Sequence, residues 1–92
     1  MAIVGFRHKG LRELYEIGRS AKVGKPLHKA TLRILDRLNA IAAPEDCWGV
    51  RGFHELKGER KGTYALRVTG NWRITFRWDS GGAADIDLED YH

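Results

Sequence analysis

Between residues 26 and 42 the apolar side chains recur at intervals of three and four: Leu27, Ala30, Ile34, Leu35, Leu38, Ile41 and Ala42. That is the period of an α-helix with one buried face, and Lys29, Arg33, Asp36 and Arg37 fall on the other. Pro26 suits the first turn of such a helix, and Ala43-Pro44 ends it. Leu11, Leu14, Tyr15 and Gly18 repeat the pattern on a smaller scale and predict a short helix over 10–18. Ahead of it, Ile3-Val4-Gly5-Phe6-Arg7 reads as a short strand.

The second half of the chain changes period from 3.6 to two. Tyr64, Leu66 and Val68 alternate with Ala65, Arg67 and Thr69. Trp72, Ile74, Phe76 and Trp78 alternate with Arg73, Thr75 and Arg77, and Ala84, Ile86 and Leu88 with Asp85, Asp87 and Glu89. These are three strands, each with one apolar face, separated by turns at Thr69-Gly70-Asn71 and Asp79-Ser80-Gly81-Gly82. A three-residue first loop pairs Val68 with Trp72, Leu66 with Ile74 and Tyr64 with Phe76, which keeps apolar opposite apolar; a two-residue loop would mix the faces. The same register sets Arg67 against Arg73 on the polar face. Like charges opposed across strands repel, so an acid from the last strand, Glu89 or Asp87, or a bound anion must offset them. The pattern therefore predicts an α+β fold: two N-terminal helices on the apolar face of a small antiparallel sheet of three or four strands, its other face polar and partly open.

Ninety-two residues make one domain, with a modest core. A content of 42% hydrophobic and 30% charged residues is that of an ordinary globular chain. A single cysteine, Cys47, excludes an internal disulfide and fits a reducing cytosol. No apolar run reaches the ~18 residues of a membrane span, and the N-terminal residues carry no signal-peptide pattern. Charge is distributed unevenly. Residues 1–78 hold all 16 Lys and Arg against 7 acids, a net of +9, whereas the last 14 residues hold 5 acids and neither Lys nor Arg. A body this basic points to a polyanion, foremost a nucleic acid.

Candidate chemistry gathers where the basic face and the last strand meet. GFHELKGERKG, residues 52–62, sets His54, Lys57, Arg60 and Lys61 among three glycines, which let backbone approach a phosphate closely. The polar sheet face adds Arg67, Arg73 and Arg77, and the last strand leads into Asp90, Tyr91 and His92; Tyr91 shares the parity of Asp87 and Glu89. RNA carries its own nucleophile, the 2′-hydroxyl. Cutting it needs a base, an acid, and cations for the charge that builds on the phosphoryl oxygens. Histidine titrates in the right range, and arginine holds phosphate through two donors. His8, His28, His54 and His92 show no metal-ligand spacing, so no metal or other cofactor is expected. His8 and His28 read as surface residues near helix starts, Cys47 as a small loop residue, Trp48 as a loop anchor, and Trp72 and Trp78 as core or core-edge.

Four segments in order, FRHKGLRELYEIG, HELKGERKG, NWRITFRW and EDYH, resemble the HigB group of plasmid-maintenance killer toxins in the RelE/ParE superfamily. The resemblance extends over essentially the whole chain. It implies a RelE-like α+β toxin acting in the cytoplasm, which enters the 30S A site of the ribosome and cleaves mRNA there without a metal. It implies a HigA-like helix-turn-helix antitoxin as partner, in a toxin–antitoxin hetero-oligomer that binds operator DNA. The group's functional positions fall on His54, Lys57, Arg73, Asp90, Tyr91 and His92. The resemblance does not divide the roles among them; we assign His54 and His92 to proton transfer, Lys57 and Arg73 to phosphate, Tyr91 to base stacking and Asp90 to orienting a neighbour. Arg60, Lys61, Arg67 and Arg77 are the further RNA- or rRNA-binding candidates. Two other readings remain open at this point: a ParE-like poison of gyrase, and a non-catalytic nucleic-acid-binding module, for which a basic body suffices.

Overall fold

The computed structural model describes residues 3–50 and 52–91. Helix α1, Lys9–Ile17, lies within a residue of the expected 10–18. It begins where the Nδ1 of His8 accepts the backbone N–H of Leu11 at 3.2 Å, an imidazole standing in for the usual Ser or Asp cap. It ends at Gly18, whose left-handed backbone (φ 94°) turns its N–H back onto the Leu14 carbonyl. The longer helix is split. Lys25–Leu27 forms a 3-10 turn around Pro26, and α2 runs His28–Ala40. Thr31, Leu35 and Leu38 point into the core, while Lys29, Arg33 and Arg37 are exposed on the far side. Extended backbone at Ile41 and at Ala43, which precedes Pro44, stops the helix short of residue 42. The Asp46 carboxylate accepts the N–H groups of Ala42 and Ala43 and closes that turn.

Four antiparallel strands follow in chain order: β1 His54–Glu55, β2 Thr63–Thr69, β3 Trp72–Asp79 and β4 Gly82–Asp90. Tyr64 pairs with Phe76, Leu66 with Ile74 and Arg67 with Arg73, as the alternation requires. The expected Val68–Trp72 pair does not form. Thr69 pairs with Trp72 around a two-residue turn, Gly70-Asn71, and Val68 is left over as an irregularity between Arg67 and Thr69. The tight turn and the matched faces are incompatible in an unbroken ladder; one extra residue reconciles them. A second shift separates Thr75↔Asp87 from Arg77↔Ala84, at Asp85, whose φ is 51°. It reverses parity toward the start of β4. Ala83, not Ala84, therefore joins Ile86 and Leu88 in the core.

The expected strand over 3–7 is also absent as a strand. Two isolated parallel bridges, Ile3↔Ala83 and Phe6↔Ile86, lay this segment along β4. The Asp85 bulge lies between the two bridges, and an interrupted edge cannot carry a continuous ladder. Leu11, Leu14, Leu35, Leu38, Leu66, Ile74, Phe76 and Ile86, all buried, fill the layer between helices and sheet. No helix among the described residues is long and apolar enough to cross a membrane.

Candidate active site on the polar face of the sheet

Residues directly opposite in a sheet share a face, so the register places the candidates in rows. One row is His54, Ala65, Thr75 and Asp87; the next is Arg67, Arg73 and Glu89; Thr63 and Arg77 form a third. Arg67, Arg77, Lys57 and Lys61 are exposed, while Arg73 is half-buried. The sheet spacing sets His54 two strands, roughly 10 Å, from Arg73's strand.

His54 lies on a two-residue edge strand, yet its ring is held. Nδ1 is 2.9 Å from the Gly52 carbonyl oxygen. A carbonyl only accepts, so Nδ1 carries the hydrogen, and in the neutral ring Nε2 is left as the acceptor. Gly52 allows this by its φ of 71° and by its closeness to β2: a Cβ there would stand 2.7 Å from that of Arg67. The turn beyond β1 is tied at both ends. Leu56 N–H donates to the Thr63 carbonyl at 2.8 Å, and the Glu55 carboxylate accepts from Gly62 N–H at 3.0 Å. Lys57 and Lys61 project from this tied turn.

Arg60, on the same turn, reaches across the sheet. Its two terminal nitrogens donate to the two carboxylate oxygens of Glu89 at 2.9 and 2.6 Å, and the Thr75 hydroxyl donates to Glu89 Oε2 at 2.6 Å. The Arg60 bond holds the Glu89 carboxyl below its ordinary range, with Thr75 adding to the effect. In return, Glu89 raises the Arg60 guanidinium further above its already high value, and the Tyr91 phenol contributes less. Thr75 is buried beneath this clamp, although it points to the polar face. The acid on Arg73's neighbouring strand is thus Glu89, but its carboxylate serves Arg60. Arg73 instead donates to the carbonyls of Gly70 (2.9 Å) and Trp72 (3.1 Å) and lies 5.6 Å from the centre of the Tyr91 ring, a cation–π contact. Tyr91 is positioned by its backbone N–H on the Asn71 carbonyl, 2.7 Å away.

The fold therefore gathers Arg60, Arg73, Glu89 and Tyr91. It leaves His54 separate on β1, and Asp90 pairs with Trp72, which sets it by parity on the opposite face. His92 lies outside the described residues. Glu89 and Thr75 organise the site beyond what charge suggested for them; their shared parity with Arg73 was the available signal. His8 and His28 are half-buried rather than surface residues. His8 caps α1, and His28 Nε2 is bonded to the carbonyls of Ser20 (3.1 Å) and Val23 (2.8 Å), bracing the loop between the helices. Cys47 is fully buried, which raises its thiol pKa and suits a packing role. Trp48 leans its edge on Phe53 but stays 68% exposed, a weaker anchor than expected. A hollow of about 760 Å3 is at the 17–28 loop, away from these groups; a smaller one of about 180 Å3 opens between Arg7, Arg60, Thr75 and Arg77 on the polar face. Such a face can bind a phosphodiester through several cations and present it to an imidazole.

A family model described as RelE-like toxin of the type II toxin–antitoxin system HigB matches residues 4–92. The endoribonuclease HigB of Proteus vulgaris is 39% identical, over 98% of this chain and 99% of its own. The toxin HigB-1 of Vibrio cholerae serotype O1 is 30% identical, over 91% and 92%.

Proposed function

The chain belongs to the HigB family of RelE-like toxins from type II toxin–antitoxin systems, and from that premise we propose that it is a ribosome-dependent endoribonuclease cutting mRNA in the 30S A site. The observation that carries the proposal is the bond between His54 Nδ1 and the Gly52 carbonyl, which leaves Nε2 as the acceptor of a neutral ring on a residue that shares its face with Arg67, Arg73 and Arg77. An imidazole so held takes the 2′-hydroxyl proton. The 2′-oxygen then attacks the adjacent phosphorus, a 2′,3′-cyclic phosphate forms, and the 5′-oxygen departs with a proton from an acid. His92 is our choice for that acid. Lys57 and Arg73 hold the phosphoryl oxygens, Tyr91 stacks on a base beside Arg73, and Asp90 orients a neighbour. Arg60, Lys61, Arg67 and Arg77 carry further RNA contacts, Arg60 chiefly by tying its turn to β4. The Proteus relative's description as an endoribonuclease supports this reading over gyrase poisoning or simple binding.

The same reading gives the protein a helix-turn-helix antitoxin partner, a shared complex on operator DNA and a cytoplasmic site of action. The test is cleavage of mRNA by purified protein with and without programmed ribosomes. His54→Ala and His92→Ala are each expected to lower the single-turnover rate by about 10²–10⁴-fold, the ordinary worth of a proton-transfer group. Equal cleavage by wild type and both variants, or none by any with toxicity intact, overturns it.

A further inference from the structure

Lys25, Lys29, Arg33 and Arg37 stand at every fourth position through the 3-10 turn and α2, and all four are exposed. On a helix of 3.6 residues per turn they form one stripe, opposite the buried Leu27, Thr31, Leu35 and Leu38. The stripe is roughly 18 Å long with roughly 6 Å between cations. That is a repeat of the same order as the phosphates along a nucleic-acid strand. None of the four is in a salt bridge with a described residue, and Asp36 is the only acid in α2. Because α2 packs on the apolar side of the sheet, the stripe faces away from the candidate active site, across a molecule whose shortest extent is 23 Å.

We propose that this stripe docks the protein on the phosphate backbone of folded, double-helical RNA, while the sheet face works on a different, single strand. The proposal rests on the ribosome-directed reading above and adds to it the surface that grips the host particle. Folded RNA fits better than protein. A protein interface is centred on apolar or aromatic anchors, and the exposed large apolar side chains among the described residues, Val4, Ile17 and Trp48, all lie off α2. It also fits better than a single strand, which is gripped by stacking on aromatic rings that this helix lacks. Duplex RNA is read largely through its shape and backbone, and cations suffice for that.

The experiment measures binding of the intact protein to mRNA-free 30S subunits across a salt series. It compares wild type with Lys25→Gln/Lys29→Gln/Arg33→Gln/Arg37→Gln, whose exposed glutamines keep helix propensity; circular dichroism confirms the fold. Affinity is expected to fall on the order of 100-fold, and the slope of log affinity against log salt to flatten by about three units for four lost phosphate contacts. Unchanged affinity and slope overturn the proposal. So does loss of antitoxin or duplex-DNA binding with 30S binding intact, which would assign the stripe to those partners. Stripe-dependent 30S binding by a wild type that cuts no mRNA on ribosomes leaves the docking surface standing and removes the cleavage reading instead.

Discussion

Thr31 is a misfit in the core, one of two described residues, with Asn39, whose buried side-chain oxygen lacks a hydrogen-bond partner. It is fully buried in α2, and its hydroxyl has no hydrogen-bond partner among the described residues. A buried hydroxyl without a partner loses its hydration for nothing, and valine has the same shape and nearly the same helix propensity. Thr31→Val is expected to stabilise the protein by about 1 kcal/mol, seen as a rise of roughly 4–8 °C in Tm. A fall in Tm would mean that the hydroxyl is satisfied in solution. At this scale the sequence was legible where a residue's role follows from its own position. Matching the apolar faces put Arg67 opposite Arg73, although the loop length assumed for it was wrong, and parity put Tyr91 on Arg73's face. It was illegible where a role depends on how the backbone folds back on itself, even over two residues. Gly52 and His54 are two residues apart, yet their residue types do not announce the bond between them, and nothing local to Gly52 announces Arg67.

Between elements, the strongest tie on the polar face is the Arg60–Glu89–Thr75 clamp, which joins the turn after β1 to β3 and β4. Glu89 has a depressed carboxyl pKa, so its contribution is present above the ordinary glutamate value and is lost as pH falls through the lower folded one. Both partners reach solvent, which screens the pair. Glu89→Gln is therefore expected to cost only about 1 kcal/mol at pH 7. The difference should shrink below about pH 4.5 and vanish in stronger acid. Urea midpoints of both proteins from pH 3 to 7 check this; a constant gap across the series would refute the linkage. The two helices and the three long strands were read correctly in kind from period, but the strand over 3–7 and the interruptions of the others were not. The bulges at Val68 and Asp85 satisfy turn geometry and face matching at once, a compromise between two strands that neither strand's pattern contains. The same Asp85 bulge is why residues 3–7, with a strand-like composition, make two bridges and no ladder.

Taken whole, the molecule is a slab with helices on one side and a polar sheet face on the other, and the basic body of the sequence is divided between the two. The architecture was legible because one period change, from 3.6 to two, separates the layers. The site was legible only in outline, because it spans strands whose offsets are set by turns. One feature of that site bears on how the protein fails. β1 is two residues long, exposed, and supported by β2 alone. Its backbone can open to solvent without disturbing Ile74 or Phe76. Amides of residues 54–56 are accordingly expected to exchange with deuterium through sub-global openings that mild urea already promotes, whereas those of β3 await complete unfolding. If residues 54–56 exchange as slowly as β3, the molecule opens as one unit. Otherwise, mild urea will silence the protein by loosening the seat of one imidazole while the fold around it stays intact.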